Sequence, residues 1–544
     1  MASPAQPSPD RARHSVAAVV VFLIAGSLLW LMAGNLFILG LDEGIYFDGG
    51  VRVLRGQVPY RDFFALTGPL SYWLEAAAFK LFGVTLAAGR VVMVLDVALL
   101  TALVYWLAAR LAGKTTALIA AFTFFAFETG LSFRLYANHR WDSSALGMLG
   151  VAFAFRGAST TSRRRIILFA SGFFAAAAAW CTPSVILLVV AVGLWLIADS
   201  KVRSFFPLYA LGVVACSFPA IAVLARERAL VPMLRSMVWS VRNYSGPNRV
   251  YYGYGAFPAS SGWRALFGGA WGRTHWLRVL DFFLALIPPL LPVLVYLSWL
   301  LRTRKRAAQL DGPKTGILLL LIASAALLLS TYPRWSADEL MFVMPVFYVL
   351  AAFLLERLAP PRWRAVLGGA LAGVAAITLA VSVSGLTREP VIHTRVGTLR
   401  AVPQDQQLIS QLDAAIPRGS SLFVDPYLPV VYFLTGGVNP TRFDFLEPGM
   451  MTAHDTAVVL SELEAHPPQR VVYFEFPAAT FFSIWPNARP RKTRLKILDA
   501  WLRAHYHLAK VIFHPVAEFA ILERNGLTHS QPRNPFRVLH APTQ

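Results

Sequence analysis

Asp42 and Glu43 stand side by side where a long apolar run, 15–40, gives out. Two adjacent carboxylates at a membrane boundary are costly unless they are solvated, paired or put to use. Partial loss of water raises a carboxylate's pKa and makes it a stronger general base; the plain alternative is a solvated loop start. Further on, Arg61 and Asp62 follow Pro59 and Tyr60, and Thr67, Gly68 and Pro69 open a helical pattern over 70–82 that Gly83 closes. That helix is too short to span, carries Glu75 and Lys80, and repeats Trp73, Leu74, Ala77, Ala78 and Leu81 at helical spacing, as a helix lying on a membrane surface does. A second polar group between apolar runs contains His139, Arg140 and Asp142. Asp142 could orient a hydroxyl, hold a metal together with Asp42, or cap the helix that starts at Ser143. His139, without fixed partners, reads more readily as structural. A third group runs from Tyr332 to Leu340, with Arg334, Asp338 and Glu339. Arg334 suits an anionic ligand through its bidentate fork, or simply snorkels at the interface.

The elements that must hold these groups are membrane spans. The chain has 544 residues, 56% hydrophobic and only 15% charged, where soluble domains average about 25% charged. This excludes a disordered chain, a disulfide scaffold and an ordinary soluble enzyme; Cys181 and Cys216 both lie in apolar runs. Since a span needs about 20 apolar residues, candidate spans fall at 15–40, 86–109, 115–133, 143–155, 166–181, 184–198, 205–225, 277–301, 315–331, 339–355 and 365–386, about eleven in all. The net charge is +21, but many of the basic residues sit in short loops between spans, which argues against a nucleic-acid partner. With a cytoplasmic N-terminus, the inner segments hold 18 Lys and Arg in 55 residues and the outer ones 14 in 114, the direction of the positive-inside rule. Arg163, Arg164, Arg165 and the basic run 302–306 are then topology anchors, and the carboxylates above gather at outer span ends.

Residues 1–14 read as a cytoplasmic tail, its first ten residues as disordered, and 15–386 as the transmembrane domain. Past 387 the character changes: short apolar runs at 421–425, 470–476 and 511–514 alternate with helical stretches at 404–415, 456–465 and 494–506. That alternation predicts an extracytoplasmic α/β domain over 387–544. Gly436 reads as a helix stop after 430–434.

A span, Asp-Glu, an interfacial loop with Pro-Tyr-Arg-Asp-Phe, and a helix closing on Leu-Phe-Gly form an order that resembles the GT-C superfamily of membrane glycosyltransferases. The likeness covers about 10–360 and is greatest to the bacterial branch of aminoarabinose transferases and protein O-mannosyltransferases. It implies a polytopic α-helical, GT-C-like catalytic domain that takes a sugar from a polyprenyl-phosphate donor and passes it, by an inverting single displacement, to a lipid, glycan or protein acceptor at the outer face of the cell membrane. It further implies Asp42 as catalytic base, with Glu43 and Asp142 in support. Arg61, Arg140 and Arg334 would meet phosphate, with Asp62, His139, Arg249, Tyr251 and Asp338 as further substrate contacts. Arg249 and Tyr251 belong to an outer loop whose aromatic rings could stack on a sugar or form an interfacial belt. Two departures stand out. The family's Lys before the helix-opening Pro is Gly68 here, and Glu339 stands where His is common.

No cofactor is called for outright. A divalent metal held by Asp42 and Asp142 is the one the residues would allow, although two acids do not complete such a site. Asp96 and Glu128, inside apolar runs, keep a transporter or flippase for a lipid-linked substrate as a rival, and a non-catalytic membrane scaffold is the other. No CxxC, HExxH or Walker-type loop is present.

Overall fold

The computed structural model describes residues 9–130, 135–257, 273–303, 311–386, 388–446, 449–475, 478–488 and 496–526. Most of the tail read as disordered, Arg304 to Arg306 of the basic run, and 527–544 lie outside the described residues. In chain order the helices are α1 (Pro9–Ala33), α2 (Leu41–Leu54), α3 (Pro69–Phe82), α4 (Leu86–Leu111), α5 (Lys114–Gly130), α6 (His139–Ser159), α7 (Arg164–Cys181), α8 (Ile186–Ala198), α9 (Phe206–Arg226), α10 (Leu230–Trp239), α11 (Arg273–Thr303), α12 (Asp311–Ser330), α13 (Ala337–Leu340), α14 (Met344–Leu358) and α15 (Pro361–Leu386). The C-terminal region adds α16 (Pro403–Ala415), α17 (Val430–Thr435), α18 (Ala453–Ala465), α19 (Ala478–Ile484) and α20 (Lys496–His505).

The described parts of the runs read as spans are largely helical, although the first helix stops at Ala33 rather than 40, and seven stretches among the described residues, not eleven, are long and apolar enough to cross a membrane. These are His14–Ala33, Leu86–Leu111, Arg164–Cys181, Arg203–Arg226, His275–Ser298, Ala337–Leu358 and Pro361–Ser384. The others fall short for visible reasons: α5 has 17 residues, and α6 begins with His139, Arg140 and Asp142 in its first turn.

The segment after α1 is not the loop its composition suggests. α2 is a 14-residue helix with Asp42 and Glu43 in its first turn, where acids favour the helix dipole. It lies against α3, with Phe47 and Phe79 packed edge to face at 5.8 Å. Proline opens α3 and Gly83, at φ 83°, ends it, as the Gly68-Pro69 and Gly83 signals predict.

The C-terminal region carries a four-stranded sheet, β5 (Leu422–Asp425), β6 (Arg470–Glu475), β8 (Glu518–Arg524) and β7 (Tyr506–Phe513) in that order. β5 and β6 run parallel, while β8 is antiparallel to both its neighbours. A hairpin of β3 (Val391–Thr394) and β4 (Gly397–Arg400) precedes it. Gly436 in the left-handed region ends α17. A further strand pair, β1 (Val250–Tyr254) and β2 (Arg334–Ser336), joins two segments that lead into membrane helices.

This region docks on the α2–α3 end of the bundle. The Leu86 amide donates to Val396 at 3.0 Å, and Arg400 Nε donates to Asn35 Oδ1 at 2.7 Å. α17 lies so close to α2 that a Cβ at Gly44 would run into the Val430 backbone. Phe64 packs on Trp239, Phe443 and Phe445 at 5.0, 5.2 and 5.9 Å. The buried ion pair Arg52–Asp444 ties α2 to the C-terminal region, and Arg52 Nη2 also donates to the Thr441 carbonyl at 3.2 Å. Removing one partner of a buried pair costs about 3–5 kcal/mol, because the other charge stays in the dry interior. Asp444→Ala should therefore lower the melting temperature in detergent and expose residues 388–526 to limited proteolysis; an unchanged melt and digest would mean the docking does not depend on this pair.

Candidate functional site

A cavity of about 470 Å³ opens where the C-terminal region meets the span ends. Its wall includes Asp42, Tyr136, Arg334, Asp338, Glu339 and, from the C-terminal region, Tyr427 and Trp485. The arrangement of these ionisable groups follows from three pieces of local structure.

The first is the start of α2. Glu43 is 1% exposed and pairs with Arg90, which is fully buried in α4. Arg90 Nη2 donates to Glu43 Oε2 at 2.8 Å, and the Ala137 amide donates to Oε1 at 3.4 Å. Successive helical residues point about 100° apart, so with Glu43 turned toward Arg90 its neighbour Asp42 faces the cavity. There Asn138 Nδ2 donates to Oδ2 of Asp42 at 3.2 Å and the Tyr427 hydroxyl lies 3.5 Å from Oδ1. Burial pushes the Asp42 carboxyl above the ordinary value, and Asp338 adds to the rise; Arg334, Arg140 and the Tyr427 hydroxyl pull it back.

The second is the β1–β2 pair, in which Val250 and Arg334 stand opposite each other. It sets the Arg334 guanidinium 2.9 Å from the Ile484 carbonyl and 3.4 Å from Asn248 Oδ1. The Tyr254 hydroxyl donates to the Ser483 carbonyl at 2.8 Å, so the strand that positions Arg334 is itself docked on the C-terminal region. The third is the turn from β2 into α13, which presents Asp338 and Glu339. Arg140 pairs with Glu339 at 2.5 Å.

Of the residues the sequence singles out, Asp42, Arg334 and Asp338 line the cavity, and Arg140 reaches it through Glu339. Asp142 does not line it. Its Oδ2 accepts from Ser71 at 2.5 Å, and its carboxylate meets Asp96 of α4. Nor is Asp142 the helix cap: Asn138 caps α6, accepting from the Arg140 amide at 2.9 Å. Glu43 is taken up by Arg90. Arg61 sits at the surface between Asp62 at 2.8 Å and Glu227 at 3.0 Å, and Asp62 also accepts from the Val58 amide at 2.7 Å. His139 Nδ1 lies 2.7 Å from Thr182 Oγ1, with its ring beside Tyr46. Arg249 is exposed, and Tyr251 is 54% exposed with its ring against Tyr254. Among the described residues no group of three or more His, Cys, Asp or Glu is placed to hold a metal ion.

Sequence reasoning missed Tyr136, Tyr427 and Trp485. Tyr427 and Trp485 stand edge to face at 5.9 Å and are 4% and 2% exposed. They come from the region whose role the sequence left open, and only the folded chain shows that it supplies one wall of the cavity.

A bundle of membrane helices closed at one end by a small α/β cap, with a charged cavity between the two, is the class of structure these features define. The chain has the GT-C fold. It is similar to ArnT from Cupriavidus metallidurans bound to undecaprenyl phosphate, with a TM-score of 0.55 and 14% identity over 95% of this chain and 99% of that one. It is similar also to the apo form of ArnT, at TM-score 0.53 and 15% identity over 93% and 98%. A third likeness is to the archaeal oligosaccharyltransferase AglB from Archaeoglobus fulgidus, in complex with an inhibitory peptide and a dolichol-phosphate, at TM-score 0.50 and 12% identity over 91% and 73%. No protein-family model and no curated protein sequence matches the chain.

The pairing of Glu43 with Arg90 predicts a separation of roles. Glu43→Leu should destabilise strongly by stranding Arg90, about 3–5 kcal/mol for a broken buried pair, and Glu43→Leu with Arg90→Met should restore much of the melting temperature. A double variant no more stable than the single one would show that Glu43 is not held for this pair.

Proposed function

We propose that the protein is a glycosyltransferase that moves a sugar from a polyprenyl-phosphate donor to an acceptor hydroxyl at the outer face of the cytoplasmic membrane. The observation that carries this reading is a single cavity in a GT-C fold that holds a desolvated carboxylate, Asp42, facing an arginine, Arg334. The basic segments of the chain lie at the opposite span ends, which supports an outer location for the cavity. ArnT bound to undecaprenyl phosphate and AglB with a dolichol-phosphate support a lipid-phosphate donor.

In this mechanism Asp42 accepts the proton of the acceptor hydroxyl as its oxygen attacks the anomeric carbon. The bond to the lipid phosphate breaks on the opposite face, inverting the centre. The phosphate leaves with its negative charge, so stabilising that charge matters more than protonating it, and Arg334 is the guanidinium lining the cavity for the task. Arg140 becomes a second contact if the phosphate displaces Glu339. Asp338, Tyr427 and Trp485 shape the remaining wall, where an aromatic ring face suits the C–H face of a sugar. Residues 15–386 form the catalytic domain in this reading, 1–14 a cytoplasmic tail, and 387–544 an outer domain that completes the site.

Asp42→Asn keeps the side chain's shape and removes the base. Loss of general base catalysis typically costs 10²–10⁴-fold in rate, so the variant should lose transfer to about that extent while melting normally and still binding polyprenyl phosphate. Retained transfer would exclude Asp42 as base. A transporter would instead lose substrate movement on changing Asp96 or Glu128, and a scaffold would tolerate all three changes.

The acidic limb of the pH profile tests the same assignment. The base works as a carboxylate, so transfer is present above its raised pKa and lost as pH falls through it. Arg334→Gln removes a charge that lowers this pKa and should move the limb to higher pH, whereas Asp338→Asn removes a charge that raises it and should move the limb to lower pH. Profiles of kcat/KM that stay fixed in both variants would mean that another group sets the limb.

A further inference from the structure

A second cavity, of about 290 Å³, lies among α1, α4 and α6, far from the first. Its wall includes Phe22, Leu99, Leu103, Trp106, Phe153 and Arg156. α4 begins at the cavity end, where Leu86 bonds to Val396. Leu99 to Trp106 therefore lie roughly 20–30 Å down the helix, at about 1.5 Å per residue. α6 runs the same way, with Arg140 beside the first cavity and Arg156 near the other membrane surface.

The chemistry of this groove is that of a lipid. Arg156 is the one charged residue on a wall otherwise built of apolar side chains, and no described side chain pairs with its exposed guanidinium. A second cation, Arg110, stacks on the Trp106 ring at 3.6 Å. The apolar slot is about as large as the smaller ligand pockets, which start near 300 Å³, room for one chain rather than a whole lipid. An acyl chain in the slot would bring its headgroup phosphate to Arg156, at the depth where basic residues draw anionic lipids.

We infer that this groove binds one anionic phospholipid from the leaflet opposite the catalytic cavity, with an acyl chain between α1, α4 and α6 and its phosphate on Arg156. The site shares no residue with the first cavity and does not rest on the function proposed for it.

Native mass spectrometry of the full-length protein, delipidated in detergent and titrated with phosphatidylglycerol or phosphatidylcholine, tests this. The wild type should retain one phosphatidylglycerol at least tenfold more tightly than phosphatidylcholine. Arg156→Gln, at an exposed position where folding is not at risk, should abolish that preference while leaving weak binding of both. Leu99→Trp, which fills the slot from a half-exposed position, should reduce retention of both lipids. Unchanged preference in Arg156→Gln would overturn the proposal, as would several equivalent adducts in the wild type. Displacement of phosphatidylglycerol by equimolar undecaprenyl phosphate would overturn it too, by making the groove a place for the prenyl chain. Wild-type and variant melting curves accompany each titration, and a variant that melts early is replaced by Leu103→Trp, which fills the same slot.

Discussion

The buried pair between Glu43 and Arg90 is the interaction on which the site depends. A guanidinium with no exposure, one turn inside a membrane helix, is tolerable only if its charge is matched and its donors are used. Glu43 matches the charge, and the Leu135 carbonyl takes a further donor. That requirement fixes the rotation of α2 about its axis. Asp42 is then directed to the cavity by helical geometry. The same pair sets the depth of α2, so the helix cannot slide toward water, where Asp42 would be fully solvated and its pKa ordinary.

What the sequence made legible was the chemistry that sits at span ends, because hydropathy marks those ends clearly. Asp42, Arg334 and Asp338, which all line the cavity, were singled out in this way. The helix that carries Asp42 was not, since Gly44, Gly49 and Gly50 lower the propensity of its sequence for helix. The fold shows what two of these glycines are for. A side chain at Gly44 would strike the backbone of α17, and one at Gly49 would strike the Tyr72 ring. Close approach of neighbours outweighs helix propensity at these positions, and single-chain patterns carry no trace of neighbours. Asp142 was misread for the same reason. It has the right type and the right membrane depth, but α6 turns it toward Ser71 and Asp96, a choice made by packing alone.

The C-terminal region illustrates the limit from the other side. Its strands and helices were largely readable: α16, α18 and α20 start within a few residues of the expected positions, and Gly436 ends α17 where a stop was expected. Strand β8 was missed, and so was the docking that gives the region its place. Phe64 meets Phe443 and Phe445 across hundreds of intervening residues. Apolar burial drives that docking without regard to direction, while Arg52–Asp444 and Arg400–Asn35 give it a register. The consequence is a cavity with one wall from each part of the chain. Neither part lines the cavity alone, which is why Tyr427 and Trp485 could not be placed on its wall before the fold was known.

The absence of a lysine before the helix-opening proline follows from the same packing. The Gly68 amide donates to the Cys181 carbonyl at 2.9 Å, and a Cβ at this position would run into the Trp180 carbonyl. The turn into α3 is thus pressed against the end of α7, where a lysine stem has no path to the cavity. Arg61 offers no replacement, since Asp62 and Glu227 hold it at the surface. The guanidinium that lines the cavity comes instead from the β1–β2 pair. Arg334 there is held through Nη1 alone, which faces Asn248 Oδ1 and the Ile484 carbonyl, and a planar fork fixed at one nitrogen keeps its remaining donors in a set plane. This arrangement couples the charge to the C-terminal cap, because the Ile484 carbonyl that orients Arg334 belongs to that cap.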